Sequence, residues 1–145
     1  MLKDQATDKR KERHHLTQED FTPESVLKIL CPPDNDPIYN DFSLTLVDPC
    51  MGTGNIILYI YKKRLEGIKI QRDKVKALST LYGTELMEDN VEEFRDRLKE
   101  LLKESYTDEI DRIAHTNFVG GVNALTEWDF DNWKRKSKTN TKKLF

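Results

Sequence analysis

Several absences narrow the possibilities. No apolar run approaches the length needed to span a membrane, and the charged N-terminus lacks the pattern of a signal peptide. The two cysteines, Cys31 and Cys50, have neither metal-ligand spacing nor the number that a disulfide framework needs, so a reducing, cytoplasmic setting is expected. No metal site is expected: His14 and His15 are adjacent but have no third ligand nearby, and read as a solvated pair. No internal repeat is present, and no charge of one sign dominates. The net charge of −2 argues neither for nor against nucleic acid as a partner.

What is present is enough for one domain. At 145 residues and 17.0 kDa, with 34% charged against 37% hydrophobic residues, the chain has a thin core under a heavily solvated surface. Residues 1–15 are polar, charged and without apolar period, so they read as a flexible or loosely helical arm. Residues 16–133 carry the domain, and 134–145 form a basic tail. From Lys134 to Lys143 there are six basic residues and no acid. Such a run suits either a phosphate-backbone contact or a solvated end.

The domain is organised around Leu44 to Asn55. An apolar stretch closes on Asp48-Pro49, turns through Gly52-Thr53-Gly54, and leads into an apolar helix from Asn55 to about Glu66. Strand, acid, tight glycine turn and helix together build a nucleotide-type pocket outside the carboxyl end of a strand in an open α/β sheet. Glycines let the backbone turn sharply and approach a ligand, and the helix directs its free N–H groups into the turn. Ile56, Ile57, Ile60 and Leu65 form the helix's buried side, with Gly67 as its C-terminal cap.

Upstream, Thr22 fits an N-cap and Pro23 a first helical position, which predicts a helix to Leu30 with Val26, Ile29 and Leu30 as its apolar face. Pro32-Pro33 ends it. Asp36-Pro37-Ile38-Tyr39 has neither the position nor the residues of an Asp-Pro-Pro-aromatic catalytic turn, and reads as loop. Downstream, Ile68 to Lys76 is a charged connector with room for a short helix. Ala77 to Glu85 is predicted as a second strand ending on an acid, where Glu85 fits a ribose ligand or a solvated helix start. Leu86 and Met87 follow, as apolar walls or plain core. Met87, Val91, Phe94, Leu98, Leu101 and Leu102 recur at helical spacing over Glu88 to Glu104. Thr107 caps another short helix with Ile110 and Ile113 inward. Asn117 to Leu125 reads as a third strand and turn, in which Asn123 either meets a ligand or caps the turn. Trp128, Phe130 and Trp133 are expected to pack over the end of the sheet.

Four segments now stand in order: Phe21-Thr22-Pro23, Asp48-Pro49-Cys50-Met51-Gly52-Thr53-Gly54-Asn55, Tyr82-Gly83-Thr84-Glu85-Leu86-Met87 and Gly121-Val122-Asn123-Ala124-Leu125. Together they resemble the cofactor-binding half of the adenine-N6 DNA methyltransferases, particularly the modification subunits of restriction systems and their phage relatives. The resemblance spans about residues 16 to 130. It implies a Rossmann-like parallel sheet, truncated after about three strands, that binds S-adenosyl-L-methionine. By motif position, Phe21, Thr22, Asp48, Gly52 and Gly54 would hold the methionine part of that cofactor, with Pro49 and Asn55 in the same turn. Glu85 would take the ribose and Leu86 would wall the adenine. The family commonly has Gly-Asp-Ala-Leu where this chain has Val122-Asn123-Ala124-Leu125, so Asn123 keeps an acceptor for the adenine amine and loses a charge.

The family's Asn/Asp-Pro-Pro-Tyr/Phe turn, which receives the flipped target base, does not appear before Phe145. The expectation is a cofactor-binding half whose methyl transfer to DNA requires a second methyltransferase chain or a longer parent. A non-catalytic binder or regulator, and a cofactor-consuming enzyme of another class, are the alternatives. With only three strands, an exposed sheet edge points to self-association or a partner strand.

Overall fold

The computed structural model describes residues 22–124. The arm at 1–15, Phe21, the segment with Trp128, Phe130 and Trp133, and the basic tail lie outside the described residues. The domain is mixed α/β around a small sheet of three parallel strands. In chain order its elements are α1 (Glu24–Leu30), a 3-10 turn (Pro37–Tyr39), β1 (Leu46–Asp48), α2 (Asn55–Leu65), α3 (Gln71–Ser79), β2 (Leu81–Glu85), α4 (Glu88–Leu102), a second 3-10 turn (Lys103–Ser105), α5 (Asp108–Thr116) and β3 (Phe118–Gly120). The sheet order is β1-β2-β3, with Asp48 opposite Gly83 and Gly83 opposite Phe118.

Register partners in a parallel sheet point their side chains the same way. A Cβ on Gly83 would meet the Ile57 side chain of α2, while the Phe118 ring lies 4.5 Å from that of Phe94 on α4. Helices α2 and α4 therefore cover the same face of the sheet. That is what two crossovers of one hand produce when strands are added in sequence order. The core between them is dry: Ile57, Ile60, Phe94, Leu98 and Phe118 are wholly inaccessible to solvent.

Most of the predicted elements are present, with three corrections. Helix α3 is a full element, and it takes Ala77 to Ser79 from the strand predicted to start there. Val75 and Leu78 lie three apart on its buried side, and alanine and leucine favour helix over strand. Its last carbonyls are satisfied from outside: Arg64 donates to the Ala77 carbonyl at 2.9 Å and Asn117 to the Ser79 carbonyl at 3.0 Å. The second correction concerns α1, whose predicted apolar face is turned to solvent. Val26, Ile29 and Leu30 are 39%, 82% and 60% exposed, and the helix instead sits on α2 through its Leu27 side. The third is its cap. Pro23, not Thr22, is the N-cap, with no side-chain capping bond; its carbonyl accepts from the Val26 and Leu27 amides at 3.0 Å. By contrast Thr107 caps α5 as expected, accepting from the Ile110 amide, and Gly67 stands just past α2 with φ of 79°. The Asp36–Tyr39 segment is a packing element, with Ile38 and Tyr39 buried.

Candidate functional site at the strand ends

Strand β1 is short because Asp48-Pro49 ends it: the proline has no N–H for a ladder. The Asp48 carboxylate turns back and accepts from the Cys50 amide at 3.2 Å. From there the chain folds through Gly52 and Gly54, at φ of 56° and 87°, into α2. Two bonds fasten this turn to β2, from the Met51 amide to the Thr84 carbonyl at 2.9 Å and from the Thr84 hydroxyl to the Pro49 carbonyl at 2.7 Å. Pro49 thus contributes a carbonyl that is already engaged.

Gly54 is needed for packing as well as for turning. A Cβ there would lie 2.2 Å from the Phe94 ring, so α4 approaches the turn only because the side chain is absent. The close approach expected for a ligand is, at Gly54, a close approach of a core phenylalanine.

Glu85 closes β2 two residues beyond Gly83, the partner of Asp48, so both carboxylates project from one face at neighbouring carboxyl ends. Burial holds the Asp48 carboxyl above its usual range, the Cys50 amide opposes this, and the Glu85 charge adds to it. Glu85 itself accepts from the Met87 amide at 3.1 Å and from the Asn90 side chain at 2.9 Å. The exit from β3 returns to the same place, where the Val122 amide donates to the Glu85 carbonyl at 3.2 Å. Asn123 and Ala124 follow directly, half-buried. Leu86, the residue after Glu85, stands 59% exposed.

Thr22 is brought to the start of α2, where its hydroxyl accepts from the Asn55 side-chain amide at 3.1 Å. The other end of that amide, its oxygen, accepts from Arg97 at 2.8 Å. Asn55 is accordingly a tie between segments. A cleft of about 560 Å³ opens here between α1 and α2, lined among others by Thr22, Leu27, Lys28, Asn55, Tyr59 and Arg97. Neither Asp48 nor Glu85 lines it, so it adjoins the strand-end site through Thr22 and Asn55.

Sequence reasoning passed over Arg97 and Arg64. Each lies three residues beyond a core side chain, Phe94 and Tyr61 respectively, and that spacing on a buried flank was the available signal. Among the described residues, no group of three or more His, Cys, Asp or Glu side chains is arranged to hold a metal ion, and no helix is long and apolar enough to cross a membrane.

No protein-family model matches the chain, and neither does any curated protein or solved structure.

Proposed function

We propose that this domain binds S-adenosyl-L-methionine at the carboxyl ends of β1 and β2, as the cofactor-binding part of an adenine-N6 DNA methyltransferase-like protein. One observation carries the reading: two carboxylates, Asp48 and Glu85, close adjacent parallel strands on one face around a glycine turn, and the Glu85 charge adds to the burial that makes Asp48 costly to ionise. Such a pair favours a ligand with positive charge and hydroxyl donors. The placement agrees with the rule that open α/β sheets bind ligands outside the carboxyl ends of their strands.

The residues present fit the cofactor. Asp48 would balance the ligand's cationic end, with Thr22 and the turn at Gly52 and Gly54 around it, and Phe21 adjoins this group in sequence. Glu85 would accept from the ribose hydroxyls. Its carboxylate is already oriented by Met87 and Asn90, which leaves little conformational freedom to lose on binding. Leu86, open to solvent, would offer an apolar wall, and Asn123, which follows the Val122 amide bonded to the Glu85 carbonyl, would take the edge of the adenine. When bound, the cofactor would supply an electrophilic methyl group on its sulfonium. The acceptor turn for a target adenine would come from a second chain or a longer parent, and the basic run at 134–143 would add phosphate-backbone contacts.

Calorimetry with adenosylmethionine is the test. The wild type should bind with measurable heat, and Asp48→Ala should weaken binding at least about tenfold. A wild type that gives no heat overturns the proposal. Efficient methylation of DNA by the isolated chain would overturn the need for a partner.

A further inference from the structure

Arg97 belongs to α4, yet its guanidinium reaches back to the glycine turn that follows β1. Its Nη1 donates to the Thr53 carbonyl at 3.1 Å, to the Thr53 hydroxyl at 3.2 Å and to the Asn55 side-chain oxygen at 2.8 Å. Thr53 is fully buried. Among the described residues no carboxylate forms an ion pair with Arg97. The cation also lies beside the first residue of α2, where the helix dipole disfavours positive charge. Simple stability does not account well for that placement, since a neutral donor would satisfy the same acceptors without the electrostatic conflict.

We infer that Arg97 is the positioning residue of the ligand turn. It locks Thr53 and Asn55 to α4 and, through the two-sided amide of Asn55, carries the same constraint to Thr22. The turn is then held from both sides. The Met51 and Thr84 bonds fix it to β2, and Arg97 fixes it to the helix that follows β2. Its pose is thereby set relative to Glu85, which lies between these two anchors in the chain. The consequence for binding rests on the function proposed above; the locking of the turn does not.

Amide hydrogen exchange reads the locking without any ligand. The Gly54 amide donates to the Met51 carbonyl within the turn and reports its opening. In Arg97→Met its exchange should rise about tenfold, with amides in α3 unchanged, and Arg97→Lys should fall between, since it keeps one charged donor. Unchanged Gly54 exchange, or an equal rise at every amide, overturns the inference. Calorimetry then separates the two claims. Adenosylmethionine affinity should fall about tenfold in Arg97→Met and partly recover in Arg97→Lys. If the wild type binds and Arg97→Met binds equally well, positioning for the ligand is refuted. If the wild type does not bind, the proposed function fails while the exchange result still judges the turn.

Discussion

Arg64 is the most deeply buried charge among the described residues, 1% exposed, and no carboxylate among them forms an ion pair with it. Its guanidinium donates to the Ile38, Ala77 and Leu44 carbonyls and the Thr80 hydroxyl, at 2.7 to 2.9 Å. One side chain thus ties the first 3-10 turn, the end of α3 and the approach to β1. Burial lowers its pKa to about 10, so it stays charged at neutral pH. Arg64→Met keeps much of the volume but orphans four acceptors, and is expected to lose about 3 kcal/mol or more in denaturant unfolding. A loss below about 1 kcal/mol would mean that water replaces the guanidinium.

Asp48 makes the opposite prediction. Its folded-state pKa is raised, mainly by burial, above the ordinary value of 3.8. A carboxyl of that kind holds its proton more tightly when folded, so stability falls as pH rises from the ordinary value through the raised one, and levels off above it. Asp48→Asn removes the penalty. Thermal melts should show the variant more stable than the wild type at neutral pH, with the gap closing toward about pH 3. Equal melting at neutral pH would show that the carboxylate is relieved by contacts other than Cys50.

At the scale of elements, the legible parts were those where packing and local preference agree. Helix α4 follows its apolar stripe through Val91, Phe94, Leu98 and Leu102, all buried. Helix α1 departs from its expected orientation because Val26, Ile29 and Leu30 satisfy the period of a buried face while the contact with α2 is made through Leu27 and its neighbours. Periodicity finds a stripe; it does not say what covers it. Asp48 and Glu85 were legible as strand-closing acids, but Arg64 and Arg97 were not, because a charged residue on a helix is ordinarily solvated. Their roles depend on acceptors far away in sequence.

The glycine turn gives a sharper test at this scale. Gly54 and Gly67 both have positive φ, 87° and 79°, but only Gly54 faces a neighbour, the Phe94 ring, while Gly67 has nothing within 4 Å. Alanine at either position meets the left-handed backbone cost of roughly 1–2 kcal/mol. At Gly54 it also forces α4 outward, an overpacking cost of about 1–3 kcal/mol more. Gly54→Ala should therefore unfold at clearly lower denaturant than Gly67→Ala. Equal midpoints would show that α4 moves freely and that its distance from the turn matters little.

For the whole molecule, the sheet grows in one direction only. From β1 it adds β2 and then β3, so among the described residues β1 is an edge. Nucleotide sites in doubly wound sheets lie where the strand order reverses, which requires a strand on the far side of β1. Here the glycine turn follows β1, at the boundary of the described sheet. The outward side of α1 is also apolar and open to solvent, with Ile29 82% and Leu30 60% exposed. A second chain supplying a strand to β1 would complete the site and satisfy the edge together. Under the proposed function, association and ligand binding would be coupled, and the coupling would be reciprocal: whatever favours the pair would tighten the ligand, and the ligand would favour the pair. Sedimentation should show concentration-dependent self-association that adenosylmethionine strengthens, and Ile29→Lys with Leu30→Lys should weaken it if α1 lies in the same interface. A strict monomer with and without ligand, at concentrations reaching hundreds of micromolar (about 5 kcal/mol of association free energy), would mean that β1 completes the site without a copy of this chain.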